Sequence, residues 1–295
     1  MARKKEAPPL PHPAERFNAP KSMTAGTPLK TMFSTDFIDL LAESFAAVET
    51  NFDVPRFRRN ARNGLDELEL KPRAAHLAKA LARELPDDFD KSSDILVRAL
   101  GPELTKTEGN GLATFFYLPH SSFVEQFAGD CLKSGLRACH ELTRRFSAEF
   151  CIRPLLVRSP EATLETLAKW VDDKNPHVRR LVSEGTRPRL PWGLRLKLFQ
   201  AEPHWTLPLL ERLKDDPEEY VRRSVANHLG DLLKDHPEAV FGVCRRWLEE
   251  CDAFPTTDPR WTARRALIRH AVRHPAQRGV AAAVEIRVKA GARLR

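Results

Sequence analysis

Three acidic residues of this 295-residue chain stand in or beside arginine-rich motifs: Glu149, Glu184 and Asp231. Side chains four residues apart share one face of a helix. Four such pairs recur, namely Arg145 with Glu149, Arg180 with Glu184, Arg223 with Asn227, and Arg265 with Arg269. Asp231, one turn beyond Asn227, joins the same face. The spacing predicts a stripe of arginines along one side of the molecule, with three carboxylates set into it.

The carboxylates in this stripe indicate chemistry as well as binding. A surface that only binds DNA is expected to lack acids, because carboxylates repel phosphate. Carboxylates can stabilise a cationic intermediate or position a water molecule. Cleavage of a glycosidic bond has that need, because its transition state resembles an oxocarbenium ion. The alternative is that each Arg–Glu pair is a surface salt bridge that contributes about 0.3–0.5 kcal/mol.

Two further arginines, Arg179 and Arg222, lie one residue off the stripe and are expected to pair with aspartates of the repeat. The segment from Glu184 to Trp192 also departs from the helical pattern, since it adds two arginines, two prolines and a tryptophan to a short loop. Arg187 and Arg189 in this loop are expected to bind phosphates, and Trp192 to stack on a sugar or a base. The alternative is that Trp192 covers the core between repeats while both arginines are solvated.

An internal repeat of about 40 residues predicts the architecture. Copies of one motif begin at Arg144, Arg179, Arg222 and Arg264. The last three copies follow an Asp and a nearby Pro, which favour the start of a helix. Such a period with two helices per unit is typical of HEAT repeats, which stack into a curved solenoid. The predicted fold is therefore all-α, a HEAT-like repeat α-solenoid with a concave basic face.

The chain is predicted to have three parts. Residues 1–30 form a disordered, basic, proline-rich tail, because prolines interrupt any helical pattern there. Residues 31–278 form the helical-repeat domain, in which Ser34 to Asp36 cap a first helix and a later helix extends over 131–151. Residues 279–295 form a basic C-terminal tail.

Charge and composition exclude several classes of protein. The net charge is +8, of which residues 1–30 carry +4 and residues 258–295 carry +8, so the remainder is −4. No apolar run is long enough to cross a membrane, and the N-terminus lacks the core of a signal peptide. Five cysteines without CxxC spacing predict reduced thiols in a cytoplasmic protein. We expect neither a metal site nor a cofactor.

Three motifs resemble the AlkC branch of the HEAT-like DNA alkylation-repair glycosylases, and they lie at 144–149, 183–192 and 220–231. The likeness covers about residues 32–275 and is more distant to the AlkD branch. The resemblance implies excision of cationic N-alkylated bases, with 3-methyladenine as substrate and 3-methylcytosine as a further candidate. It also implies that Glu149, Glu184 and Asp231 are the catalytic carboxylates.

By the same resemblance, Trp192 would sit against the sugar or backbone of the lesion, and Arg187 beside the same site. The motif at 220–231 departs from the family's pattern at His228 and Gly230, which leaves Asp231 unaffected. Some members carry a C-terminal immunoglobulin-like domain, for which residues 279–295 are too short.

A base alkylated at N3 already carries a positive charge, so no general acid is needed to expel it. We expect the carboxylates to stabilise the sugar cation and to position water, in a bent duplex with the lesion exposed in place. DNA contacts are expected from Trp192, Arg187, Arg189, Arg145, Arg180, Arg223, Arg265 and Arg269. The partner is double-stranded DNA that contains alkylated bases, bound by a monomer in the bacterial cytoplasm. The alternative is a non-catalytic HEAT-repeat protein that binds DNA or scaffolds proteins, with its carboxylates scattered.

Overall fold

The computed structural model describes residues 10–19, 26 and 28–293, and every regular element within them is helical. The predicted all-α class is therefore confirmed. The chain divides into two compact units, Met1–Phe146 and Ser147–Arg295. In the described part of the chain, no helix is both long and apolar enough to cross a membrane.

The first unit has an aromatic core. Its helices are α1 (Pro13–Arg16), α2 (Thr35–Ala46), α3 (Val54–Arg62), α4 (Leu70–Ala82), α5 (Phe89–Arg98), α6 (Leu118–Phe127) and α7 (Leu132–Thr143), with 3₁₀ helices at Leu29–Met32 and Ala113–Tyr117. Phe37 of α2 packs against Phe17, Phe33 and Phe116, at ring-centroid distances of 4.8–5.4 Å. Ser34 caps α2 by accepting the amide of Phe37 at 3.3 Å, as its sequence predicts.

The second unit carries the repeats. Its helices are α8 (Ile152–Arg158), α9 (Pro160–Trp170), α10 (Pro176–Gly185), α11 (Lys197–Ala201), α12 (Leu207–Leu213), α13 (Glu219–Leu232), α14 (Pro237–Asp252), α15 (Pro259–Ala271), α16 (Arg273–Gln277) and α17 (Ala281–Lys289), with a 3₁₀ helix at Pro203–Trp205. α10 packs against α13, and α13 against α15. Val178 and Val182 of α10 are fully buried, as are the equivalent Val221 and Val225 of α13. The three repeat motifs of this unit thus lie on helices that stack in series.

The predicted starts of the repeat helices, at a proline with a preceding aspartate, are found in part. Pro176 and Pro259 are the first residues of α10 and α15. Asp258 caps α15 by accepting the amide of Arg260 at 2.8 Å. At α10 the cap is Asn175, and at α13 it is Glu218 without a side-chain hydrogen bond, so the predicted aspartate cap is correct at α15 and wrong at the other two helices.

The predicted helix over 131–151 is wrong, because α7 ends at Thr143 and α8 begins at Ile152. A continued helix needs the carbonyl of Arg144 as an acceptor within the helix. That carbonyl instead accepts the amide of Leu104 at 2.9 Å. The motif copy that begins at Arg144 therefore lies off a helix, unlike the three later copies.

Both predicted tails contain folded segments. In the N-terminal one, His12 caps α1, its ring nitrogen Nε2 donates to the carbonyl of Ala99 at 3.2 Å, and Phe17 is buried. In the C-terminal one, α17 buries Ala283 and Ile286. Both segments contain apolar residues, such as Phe17 and Ile286, whose burial stabilises the folded state. The rest of the tail prediction, at 1–9, 20–25, 27 and 294–295, lies outside the described residues.

Candidate active site

The structure brings the three predicted carboxylates into one row, linked by two arginines. Arg180 lies between the first two acids: its Nη1 is 3.0 Å from Glu149 Oε2, and its Nη2 is 3.4 Å from Glu184 Oε1. Arg187 lies between the next two, with Nη1 2.7 Å from Glu184 Oε1 and Nε 2.9 Å from Asp231 Oδ2. We call these five side chains the acid–arginine row. One guanidinium group separates each carboxylate from the next.

Separate segments of the second unit supply the row. Glu184 lies in the last turn of α10, and Asp231 in the last turn of α13, which packs against α10. Arg187 follows the end of α10 by two residues, and Glu149 precedes α8. The row therefore depends on the packing of neighbouring repeats as well as on spacing along one helix.

The row is buried. Glu184 is 5% exposed and Asp231 is 4% exposed, and the side chains of Arg187 and Arg180 are 11% and 19% exposed. Buried charges are strongly destabilising unless they are paired and hydrogen-bonded, and here each acid has a guanidinium partner. The interpretation of Arg180 and Glu184 as a surface salt bridge is therefore wrong.

Glu184 is held as a carboxylate. Burial raises the pKa of Glu184, but the charges of Arg180 and Arg187 and a hydrogen bond from Ser224 outweigh burial, so its pKa lies below the ordinary value. The Ser224 hydroxyl donates to Glu184 Oε2 at 2.6 Å. Glu184 is thus an anion at neutral pH, which can stabilise positive charge and cannot act as a general acid.

Two residues of α13 also pack around the row. The ring of Tyr220 lies with its centroid 5.0 Å from the guanidinium carbon of Arg180, a cation–π contact. His228 is fully buried, and its Nδ1 donates to the carbonyl of Ser183 at 3.0 Å. Burial and the charge of Arg187 lower the pKa of His228 to about 3, so this histidine is neutral and adds no charge to the row.

Arg153 of α8 holds the loop that carries Arg187 and Trp192. Its side chain is fully buried. Its Nη1 donates to the carbonyl of Gly185 and its Nη2 to the carbonyl of Arg187, both at 2.9 Å, while its Nε donates to the carbonyl of Leu194. Burial and the nearby Arg187 lower the pKa of Arg153 to about 10. One guanidinium group thus ties both ends of the loop to α8.

Trp192 lies at the tip of residues 186–196, which we call the Trp192 loop, and is 69% exposed. The amide of Gly193 donates to the carbonyl of Leu190 at 3.2 Å, which closes a turn with Pro191 second and Trp192 third. Trp192 has φ 61°, and no other non-glycine residue of the described chain has positive φ. A positive φ at the third position is typical of a type II turn, where glycine is usual. The alternative that Trp192 covers the core is wrong, since most of its side chain faces solvent.

The predicted DNA-binding arginines differ in their surroundings. Arg189 forms a bidentate ion pair with Asp235, with Nη2 2.7 Å from Oδ1 and Nε 2.9 Å from Oδ2. Arg223 is exposed on α13. Arg145 does not share a helix with Glu149, because α7 ends before it, so that predicted i, i+4 pair is wrong.

At the end of the predicted stripe, the arginines of α15 face the C-terminal helix. Arg265 pairs with Asp252, and Arg269 donates to the carbonyl of Ala290, just past α17. The structure therefore joins Arg180 and Arg187 with the three acids and gives Arg265 and Arg269 other partners.

Three supporting residues of the site were missed: Arg153 lies outside every motif, while Ser147 and Ser224 lie within the motifs at 144–149 and 220–231. Arg153 belongs to no repeat copy, and Ser147, whose hydroxyl donates to Glu149 Oε2 at 2.8 Å, lies in a non-helical segment. Ser224 was detectable, because the equivalent positions of the neighbouring copies hold the apolar Leu181 and Ala266. A polar residue at an otherwise apolar repeat position is a usable signal of this kind. In the described part of the chain, no three His, Cys, Asp or Glu side chains gather as a set of metal ligands.

The comparisons with known proteins point to one family. No family model matches the chain. A solved structure of the Pseudomonas fluorescens alkylpurine DNA glycosylase AlkC, bound to DNA that contains an abasic-site analog, is 34% identical with a TM-score of 0.74, and the match covers 89% of this chain and 68% of that one. The uncharacterized protein YhaZ of Bacillus subtilis (strain 168) is 32% identical over 252 residues, 85% of this chain and 65% of YhaZ. The chain thus spans just under two thirds of the length of YhaZ.

Proposed function

We propose that this chain, which belongs to the AlkC family of alkylpurine DNA glycosylases, itself hydrolyses the N-glycosidic bond of cationic, N-alkylated bases in double-stranded DNA. The membership that the motifs predicted is confirmed by the 34% identity to a solved AlkC structure. We propose 3-methyladenine as the main substrate and 3-methylcytosine as a further candidate. The enzyme would act as a monomer, in the bacterial cytoplasm and without a cofactor.

The acid–arginine row is the observation that carries this proposal. Its three carboxylates are paired with Arg180, Arg187 and Lys234, whose Nζ lies 3.4 Å from Asp231 Oδ1, so three fixed carboxylates stand close together in a place largely shielded from water. Charges interact more strongly in such surroundings than in water. The row is therefore suited to stabilise positive charge that develops on a deoxyribose beside it.

The chemistry needs no proton donor. As the bond from C1′ to the base nitrogen breaks, the electron pair leaves with the base and cancels its positive charge. Positive charge then grows on the sugar, where Glu184 and Asp231 would stabilise it, while Glu149 would support the attacking water or the DNA conformation. The water oxygen bonds to C1′ and keeps one proton as the new hydroxyl group, while the other proton is lost to a carboxylate or to solvent.

The arginines would have two different roles. We propose that Arg180 and Arg187 position the acids, because they are buried between them. The exposed Arg223 would contact a phosphate, and Arg189 would do so by exchanging its partner Asp235. Arg145, Arg265 and Arg269 are proposed as further contacts to DNA. Trp192 would sit against the sugar or backbone of the lesion nucleotide.

Base release from methylated DNA tests the proposal. The wild-type chain is incubated with DNA treated with a methylating agent, and the released bases are identified by chromatography and mass spectrometry. Glu184→Gln and Asp231→Asn should each release 3-methyladenine at least about 100-fold more slowly, which is typical for the loss of one electrostatic stabiliser. The matched control is Glu165→Gln, on the exposed face of α9, which should act as the wild type does.

Two outcomes would contradict the proposal. Release of 3-methyladenine by Glu184→Gln and Asp231→Asn at the wild-type rate would contradict the roles proposed for these carboxylates. A wild-type chain that binds the duplex and releases no base would favour the alternative of a non-catalytic DNA-binding or scaffolding protein.

A further inference from the structure

A second group of arginines lines a cavity outside the acid–arginine row. The cavity has a volume of about 760 Å³, opens to solvent, and is lined by α15, α16, α17 and the residues after α17. Arg269, Arg287 and Arg293 contribute three guanidinium groups to its wall. The other lining residues are uncharged, namely Gln277 together with alanines and valines.

Two acids of this region, Glu285 and Asp252, are paired with residues that do not line the cavity. Glu285 of α17 pairs with Lys289 at 2.8 Å and with Arg245 at 3.6 Å. Asp252 pairs with Arg265, which does not line the cavity. The wall of the cavity is therefore positively charged, and none of its described residues is a carboxylate.

Two of the three arginines, Arg269 and Arg287, are incompletely satisfied. Burial and the charges of Arg265 and Arg287 lower the pKa of Arg269. The Nε of Arg287 is buried and has no hydrogen-bond partner among the described residues. Like charges around one cavity repel each other, so an anion placed between them would be stabilising.

The carbonyl groups at the end of α17 would oppose an anion, because a helix C-terminus carries partial negative charge. Arg265 and Arg269 donate hydrogen bonds to two of these carbonyls, those of Lys289 and Ala290. The negative end of the helix is thereby covered, and the guanidiniums determine the charge of the cavity.

We propose that this cavity binds a phosphate group. Guanidinium groups bind phosphate through two parallel, charge-assisted hydrogen bonds, and three arginines line this cavity. The phosphate belongs either to the backbone of a nucleic acid or to a free phosphate-bearing molecule. The site does not rest on glycosylase activity, since it contains none of the three carboxylates.

Thermal unfolding with inorganic phosphate as the probe tests the site. Phosphate should raise the melting temperature of the wild type by about 2 °C over potassium chloride of equal ionic strength, once its concentration exceeds the Kd about fivefold. Arg287→Ala and Arg293→Ala should each lose this rise. Arg278→Ala, an exposed arginine that does not line the cavity, should keep it. Far-UV circular dichroism checks that all variants remain helical.

A salt titration separates the two sources of phosphate. Duplex binding is measured at several salt concentrations for the wild type and for Arg287→Ala. A decrease of about 1 in the slope of log K against log salt assigns the site to the DNA backbone. If Arg287→Ala keeps the wild-type slope but loses the phosphate-dependent rise in melting temperature, the site is assigned to a free phosphate-bearing molecule.

The proposal is overturned if phosphate stabilises the wild type no more than chloride and the slope is unchanged. It is also overturned if Arg278→Ala loses the rise as Arg287→Ala does. Absence of base release by the wild type would contradict the proposed glycosylase function and leave both readouts of the phosphate site intact.

Discussion

Two sets of arginines lie one residue apart in the repeats of the second unit, and their surroundings differ. Arg179, Arg222 and Arg264 come from three successive repeat helices, and all three bind the turn at 215–217. Arg179 Nε is 2.6 Å from Asp216 Oδ2. Arg222 donates to the carbonyl of residue 217 at 2.8 Å, and Arg264 Nε to a carboxylate oxygen of residue 215 at 2.8 Å. This set ties three neighbouring repeat helices to one shared turn.

The adjacent set, Arg180, Arg223 and Arg265, has a different environment in each copy. Arg180 is buried between two carboxylates. Arg223 is exposed, and Arg265 pairs with Asp252 beside the C-terminal helix. A position whose arginines bind one shared turn serves the stacking of repeats, whereas a position whose arginines have unrelated partners is available for function. The motif alone cannot separate the two sets, because both are arginine in each of these copies.

The largest expected effect is in the diverging set, for Arg180→Ala. Removing this guanidinium leaves two carboxylates short of their shared partner, so the free energy of unfolding should fall by about 3 kcal/mol. Base release should fall at least about 100-fold, because the acids lose their spacing. Urea denaturation and the methylated-DNA assay measure the two effects. An unchanged free energy of unfolding would mean that the row is not held by this arginine.

For the set that binds the turn at 215–217, Arg179→Ala should lower the free energy of unfolding by about 2 kcal/mol, since Asp216 is almost fully buried and loses a charged hydrogen-bond partner. Base release per folded molecule should stay at the wild-type level. Urea denaturation followed by the same assay measures both. Loss of activity in fully folded protein would show that the two sets share one role.

The pH dependence of the free energy of unfolding should show that Glu184 is ionised in the folded protein. The folded-state pKa of Glu184 is below its ordinary value of 4.5, so its ionisation stabilises the fold above that pH. The stability difference between the wild type and Glu184→Gln should therefore be constant near neutrality and shrink as pH falls from about 4.5 through the lower folded-state pKa. Urea denaturation from pH 7 to pH 3 measures it. A difference that grows in acid would contradict the ionised state.

The smallest effect on stability is expected for Arg223→Ala, within about 0.5 kcal/mol, because this side chain is exposed. In the same variant, the slope of log K for duplex binding against log salt should decrease by about 1, because one fewer counterion is released. Fluorescence anisotropy at several salt concentrations measures this. A slope equal to that of the wild type would contradict the proposed contact between Arg223 and DNA.

Local signals in the sequence predicted local structure well. The cap at Ser34, the prolines that begin α10 and α15, and the stacking of equivalent valines all follow from residues close together in the chain. The helix over 131–151 was wrong because a distant amide, that of Leu104, takes the carbonyl of Arg144. Periodicity within one segment carries no information about such a partner.

The candidate active site could also be predicted only in part, because its contacts join distant parts of the chain. The three carboxylates could be predicted as a set, and their roles remain a prediction. Two of the ion pairs that link them, Arg180 with Glu149 and Arg187 with Asp231, join residues 31 and 44 positions apart. Such pairings depend on how α10 and α13 pack, which spacing along one helix does not specify. The support from Arg153 is still less predictable, because its acceptors are backbone carbonyls, which every residue has.

The turn at Trp192 has a consequence for evolution. Its positive φ would suit glycine, so a bulky aromatic side chain there makes the chain less stable than it could be. Trp192→Gly should accordingly raise the melting temperature while it removes most of the exposed aromatic surface of the loop. A search for more stable variants would therefore tend to discard this tryptophan, and selection for activity would be needed to retain it.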